Sequence, residues 1–260
     1  MPLTWFAHQV PVIGIKLVRP TWVDGTALCV GSMMPDVLYA CSSYVHIDTH
    51  RWPSAYSYGV PAGVVLALLV RFASPVAARQ LPDLGQFRLQ SFAVLASRRP
   101  RLAVTVVCVA IGVMTHVVLD SFTHPGRPAA RWLGYDDVRV HVLGHSEPLA
   151  GVFQIIGHTV GSVVAVLLLR SIGRRRLLEA WYGADLVERA RSWTPDAAER
   201  VIFWAAVSAG VLGGATWAWH GDWVEQIQRV ALGPIAGGIV GSAMVVRRRG
   251  RRHSSGWRPS

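Results

Sequence analysis

Five stretches of this chain carry no Asp, Glu, Lys or Arg: Pro53 to Val70, Leu102 to Leu119, Pro148 to Leu169, Val201 to Gly221 and Val230 to Val246. Each is close to the roughly 20 residues an α-helix needs to cross the hydrocarbon core of a bilayer. No water is available there, so a crossing chain must pair its backbone groups internally, as a helix or a closed barrel. None of the five alternates apolar and polar residues, which weighs against a barrel. An apolar share of 52% against 16% charged residues also sets the chain apart from soluble enzymes.

Two weaker segments lie upstream. Met1 to Ile15 is uncharged but short and contains Pro11, and Thr26 to Tyr44 is apolar apart from Pro35 and Asp36. Each is a span or a re-entrant helix. The expected fold is therefore all-α: a multipass transmembrane bundle of about seven helices, five strong spans plus these two.

The basic residues give an independent reading of topology, because loops on the cytoplasmic side are enriched in Lys and Arg. With seven spans, Arg51, Arg127, Arg131, Arg139 and Arg229 fall on one face, and the other 21 of the 26 basic residues fall on the opposite one. This predicts an outer N-terminus and a cytoplasmic C-terminus in a bacterial plasma membrane. The net charge of +11 then calls for no nucleic-acid partner. Topology, together with attraction of the Arg-rich segments to anionic inner-leaflet lipid, accounts for it.

Four regions are expected: a helical membrane domain over residues 1–170, a cytoplasmic amphipathic connector over 171–200, a transmembrane helix pair over 201–246 and a basic disordered tail over 247–260. Within the connector, Arg174 to Trp193 mixes Leu177, Leu178, Trp181, Leu186 and Val187 with Arg and Glu, as an interfacial helix does. No basic residue precedes the N-terminal apolar stretch, so no cleavable signal peptide is expected. Cys29, Cys41 and Cys108 are odd in number and lack metal-ligand spacing. Gly233, Gly237 and Gly241 recur every four residues, as do Gly157 and Gly161. Each set makes a smooth helix face on which a neighbouring helix, or a second copy of the chain, can pack. Trp217, Trp219 and Trp223 read as interfacial anchors.

The chemistry lies in the polar residues that lipid discourages. An ionisable side chain at the bilayer centre costs at least about 2.5 kcal/mol. In Thr115-His116-Val117-Val118-Leu119-Asp120-Ser121-Phe122-Thr123-His124, His116 and Asp120 are four apart and share a helix face. His124 continues the row until Pro125 and Gly126 end the helix. Seven-span threading puts His8, Asp36 and His50 at the same membrane face as His116 and Asp120. Five ligand-type residues from four helices thus converge. Imidazoles with carboxylates and no nearby Cys suit a divalent transition metal, Zn first and Mn or Fe next. His141, His145 and Glu147 read as part of a solvated outer loop, with a second metal site as the alternative. Gln154 and His158, also four apart, can hydrogen-bond along one helix face, and His158 is expected to pack or to support the site from behind.

Thr4-Trp5-Phe6-Ala7-His8, Gly31-Ser32-Met33-Met34-Pro35-Asp36, Thr49-His50 and the Thr115 to His124 string resemble the bacterial family called domain of unknown function 4184, over roughly residues 1 to 170. That family is in turn similar to the membrane-bound metal-dependent hydrolases. Where its pattern has Pro after the first His and a small hydroxyl residue after the second, this chain has Gln9 and Arg51. The resemblance implies a metal site on His8, Asp36, His50, His116 and Asp120. A catalytic reading adds metal-assisted hydrolysis of a lipid or phosphoester, with Asp36 or His124 as general base. The competing reading is a non-catalytic scaffold or small-solute transporter. A proton-coupled transporter would gather its ionisable residues near the midplane, whereas these collect at one end.

Overall fold

The computed structural model describes residues 4–98, 100–142 and 144–255, with side chains described as far as Arg251. Arg99, Arg258 and the end of the expected tail, residues 256–260, lie outside the described residues, as does the side chain of Arg252. The N-terminal part holds short helices: α1 (Thr4–Ala7), α2 (Gln9–Val18), α3 (Gly25–Gly31), α4 (Met34–Tyr39) and α5 (Ser42–Val45). Then follow α6 (Trp52–Gln80), a connector with 3-10 turns, α7 (Leu102–Thr123), α8 (Pro128–Trp132) and an antiparallel hairpin of β1 (Arg139–Val142) with β2 (His145–Pro148). The chain continues as α9 (Leu149–Arg174), α10 (Leu177–Tyr182), α11 (Ala184–Ser192), α12 (Ala197–Ala218) and α13 (Trp223–Ser255).

Helices α6, α7, α9, α12 and α13 are long and apolar enough to cross a membrane, and they hold the five uncharged stretches except Pro148, which ends β2, and residues 219–221, which follow α12. The protein is an all-α multipass bundle carrying one small hairpin. The two weaker N-terminal segments form short helices, for local reasons. Asp24 caps α3 by accepting from the Ala27 N–H, and Thr105 donates to its other oxygen at 2.9 Å. Pro35 stands in the first turn of α4. A proline lacks the N–H that would continue the α3 ladder to the Gly31 carbonyl and fits only the first turn of a helix, so the chain breaks between α3 and α4.

The chain divides into two compact units: Met1–Val64 with Arg101–Leu168, and Val65–Pro100 with Leu169–Ser260. In the first, α3 crosses α7 at Gly31 and Gly112. A Cβ on Gly112 would overlap the Leu28 carbonyl and lie 2.7 Å from the Ser32 nitrogen, and one on Gly31 would overlap the Val109 carbonyl. Small residues let membrane helices approach this closely. Gly161 of α9 meets Ala7 in the same way.

In the second unit, α12 and α13 form an antiparallel hairpin. The stripe of Gly233, Gly237 and Gly241 packs against Phe203, Ala206, Val207 and Gly210 of α12, so the neighbour the sequence called for comes from within the chain. Near the turn, Arg229 and Glu225 pair at 3.2 Å with both side chains buried, and the guanidinium lies over the Trp217 ring. The expected single helix from Arg174 to Trp193 is instead two, α10 and α11. Gly183 between them takes φ +97°, a conformation that side chains with a Cβ resist. Arg88 pairs with Glu179 and Arg191 with Asp83 at 2.9 Å, tying both helices to the 3-10 connector. Partial burial pushes the Asp83 carboxyl up, but hydrogen bonds from the Gln90 N–H and Arg191, with the charges of Arg191 and Arg88, outweigh it and hold the group below its ordinary range.

Candidate metal centre

The site is built at the C-terminal end of α7. His116 and Asp120, one turn apart, face the same way, with His116 Nε2 3.2 Å from Asp120 Oδ2. The α3–α7 crossing sets the imidazole. Because the helix ladder breaks after Gly31, the Ser32 carbonyl is free to point at His116 Nδ1, 2.7 Å away. A carbonyl can only accept, so Nδ1 carries a proton, and in the neutral ring Nε2 presents its lone pair to the cluster. Outer partners of this kind fix ring and tautomer in metal-binding histidines.

His50 is set by a similar device just ahead of α6. Thr49 Oγ1 donates to the Pro35 carbonyl at 2.8 Å and lies 3.1 Å from His50 Nδ1. With its single proton committed, the hydroxyl must accept from Nδ1–H. His50 Nε2 is thereby left as a lone pair, 3.3 Å from Asp36 Oδ1 and 3.5 Å from Asp120 Oδ2. Asp36 Oδ1 lies 3.8 Å from His116 Nε2.

Asp120 divides the cluster. Its Oδ2 faces His50 and His116, while its Oδ1 lies 3.4 Å from His8 Nε2 and 3.4 Å from His124 Nδ1. The rings of His8 and His116 stack at 3.8 Å between centroids. His158 of α9 approaches His8 and His124 edge-on, at 5.8 and 5.5 Å. His8, Asp36, His116, Asp120 and His158 are all buried. Their atoms converge without satisfying one another, because His116 Nε2, Asp36 Oδ2, Asp120 Oδ1 and His158 Nε2 make no hydrogen bond. Burying acceptors face to face in this way is costly unless a cation or a shared proton lies between them. Three sets bring ligand atoms within 4.8 Å of one another and could hold a metal ion: His8, Asp36 and His116; His8, Asp120 and His158; His50, His116 and Asp120.

All five residues expected as ligands therefore meet in one place. His124 stands beside them as the residue that caps α7 in extended conformation. Its Nε2 accepts from the Gln154 amide at 2.8 Å, and Thr123 Oγ1 lies 3.1 Å from its Nδ1. Burial pushes the imidazole pKa down to about 4, outweighing the pull of Asp120, so His124 is neutral at ordinary pH. The sequence placed Gln154 beside His158 on one helix face, but its ring partner is His124. His158 belongs with the ligand-type atoms. Its signal was an ionisable residue within a span. Thr49 and the Ser32 carbonyl had none that spacing could reveal. His141, His145 and Glu147 are exposed on the hairpin, outside every cluster.

A cavity of about 850 Å³ opens on the site, lined among others by Asp48, His50, Arg51, Trp52, Asp120, Arg127, Arg131 and Trp132.

These features define a helical multipass membrane protein with a buried His and Asp cluster able to hold a metal ion. The chain belongs to the family described as Domain of unknown function (DUF4184), whose model matches residues 1–246. That match extends well past the first 170 residues, through α12 and most of α13. No curated protein and no solved structure matches the chain.

Proposed function

We propose that this protein is a membrane-bound metal-dependent hydrolase acting on a lipid or phosphoester at the outer face of a bacterial plasma membrane. The observation that carries the reading is Asp120, whose two oxygens face two different sets of imidazole nitrogens among buried atoms that make no hydrogen bond. His50, His116, Asp36 and Asp120 Oδ2 make one set of donors, and His8, His158 and Asp120 Oδ1 make a second around the shared carboxylate. A bound divalent ion, zinc being the best match to nitrogen and oxygen donors without thiolate, supplies Lewis acidity and lowers the pKa of water beside it.

The chain's own groups supply the rest. Ser32 and Thr49 hold the His116 and His50 lone pairs toward the cluster. Both Asp36 and Asp120 face imidazole nitrogens, which favours them as ligands and leaves His124 as the general base. It is neutral, and a proton arriving at Nε2 is accommodated by the Gln154 amide turning its oxygen toward the ring. The cavity gives access from the side of Trp52 and Trp132, an aromatic rim suited to the bilayer interface.

The test is metal analysis of the purified full chain beside His116→Ala/Asp120→Ala, followed by screening of phosphodiester and carboxylic ester substrates. At least one equivalent of transition metal, lost in the double variant, is expected, with activity removed by chelation and restored by one metal. A wild-type chain without metal, whose stability the double substitution leaves unaltered, would overturn the reading.

A further inference from the structure

The cavity in front of the cluster carries three arginines whose charge the metal reading leaves unused. Arg51, Arg127 and Arg131 line it, with His50 and Asp120 at the same wall. Asp120 is taken up by imidazoles. Arg131 is served by Asp136 at 3.4 Å, which lies outside the lining. Arg51 Nε is 3.1 Å from Asp48 Oδ2, and Arg127 Nη1 is 3.9 Å from that same oxygen. Two guanidiniums thus share one carboxylate oxygen, leaving an excess positive charge beside the ligand cluster. A planar guanidinium offers paired N–H donors that match an oxyanion, phosphate above all. A neutral carboxylic ester carries no ground-state charge for such a pair to bind.

We propose that Arg127 and Arg51 form the phosphate-binding subsite of this cavity, so that the substrate is a phosphoester rather than a neutral ester. The inference rests on the metal reading, because Asp36 and Asp120 carry two negative charges next to the cavity and repel an anion until a divalent cation cancels them. Metal and phosphate binding are then coupled: the metal-loaded protein binds phosphate and the metal-free protein binds it poorly. Trp52 and Trp132, both exposed on the rim, would accommodate the apolar part of an amphiphile. The same phosphate chemistry can come from a lipid headgroup or from a free phosphoester.

The probe is inorganic phosphate, titrated into the zinc-loaded full chain in phosphatidylcholine nanodiscs and followed by calorimetry or phosphorus NMR, with metal content measured on each sample. Arg127→Gln and Arg51→Gln should each weaken phosphate binding about tenfold or more, with metal content unchanged. Arg139→Gln, on the exposed hairpin, should leave it as in wild type. Repeating the titration in discs with phosphatidic acid, against phosphatidylglycerol at matched surface charge, separates the sources. Weakening specific to phosphatidic acid marks a lipid headgroup as the ligand, and equal binding marks a free phosphoester; either supports the subsite. Metal-loaded protein that binds no phosphate, or binds it equally well in both arginine variants, overturns the subsite while the metal reading stands. Wild-type protein that takes up no metal overturns both.

Discussion

Thr49→Val tests the local physics of the centre without touching a proposed ligand. The side chain is buried, and its hydroxyl does two things: it donates to the Pro35 carbonyl at 2.8 Å and accepts from His50 Nδ1 at 3.1 Å. Valine keeps the shape and removes both bonds. The Pro35 carbonyl is left without that donor, and His50 has lost the reason to keep its proton on Nδ1. The imidazole can recover by moving the proton to Nε2 and donating to Asp36 Oδ1, 3.3 Å away, but that tautomer has no lone pair to offer a metal. Each hydrogen bond is worth about 1 kcal/mol net, so the folded protein should lose about 2 kcal/mol. Substitution of a group that orients a ligand commonly costs 10- to 100-fold in metal affinity, or about 1.4 to 2.7 kcal/mol.

The assay is competition for zinc between the detergent-solubilised chain and a chromophoric chelator, alongside thermal unfolding of the same samples. Thr49→Val should bind zinc 10- to 100-fold more weakly, while Thr49→Ser, which keeps the hydroxyl, should stay within about threefold of wild type. A valine variant that is less stable yet binds zinc as tightly as wild type would refute the reasoning. The hydroxyl would then hold the loop together and have no part in setting the imidazole.

The helix crossing gives a second expectation. Gly112→Ala forces a methyl onto the Leu28 carbonyl and Ser32 nitrogen, so stability should fall by about 1–3 kcal/mol and zinc affinity should fall with it; Gly14→Ala, inside α2 with nothing within 4 Å, should leave zinc affinity unchanged and not lower stability. For His124, the fold favours the neutral ring, whose pKa of about 4 lies below the ordinary 6.5. Its contribution is therefore intact above pH 6.5 and is lost as the pH falls toward 4, by at most about 3 kcal/mol, and His124→Gln should flatten that part of a denaturation-versus-pH curve. In the second unit, Glu225→Gln removes the carboxylate 3.2 Å from the buried Arg229 guanidinium and should cost about 3 kcal/mol in thermal unfolding. Most of that should return in Glu225→Gln/Arg229→Met, and a single variant as stable as wild type would contradict the pairing.

How much of this was legible depended on whether a feature repeats at helical spacing. The five spans announce themselves as uncharged runs, and His116 with Asp120 as a pair four apart on one of them. The stripe of Gly233, Gly237 and Gly241 was legible for the same reason, and it found a partner helix. Gly31 and Gly112, which permit the crossing that aims Ser32 at His116, are single glycines on two different helices and leave no periodic trace. The Thr49 bridge joins residues 14 apart to Pro35 and adjacent to His50, a relation that only the folded chain creates. Gln154 was assigned the wrong partner because residues four apart on one helix are the default neighbours. The end of α7 brings His124 nearer across space.

The breaks in the N-terminal helices follow from the same logic. Where a helix stops, its last carbonyls lose their N–H partners and become available to side chains. Here the irregular stretches coincide with the cluster. Ser32 falls between α3 and α4, and residues 46–51 run from the left-handed cap of α5 at His46 to the start of α6. His124 stands where α7 gives way to Pro125 and Gly126. Had Thr26 to Tyr44 formed one unbroken helix, the Ser32 carbonyl would be committed to an N–H four residues on, and nothing would fix the proton of His116 on Nδ1. The short helices are the condition on which lone pairs, rather than N–H groups, face Asp36 and Asp120. Restoring helical continuity should therefore damage the centre: Pro35→Ala, which removes the break signal while leaving every proposed ligand in place, should weaken zinc binding in the chelator assay. Undiminished affinity in that variant would show that the α3–α7 crossing alone holds the carbonyl in position.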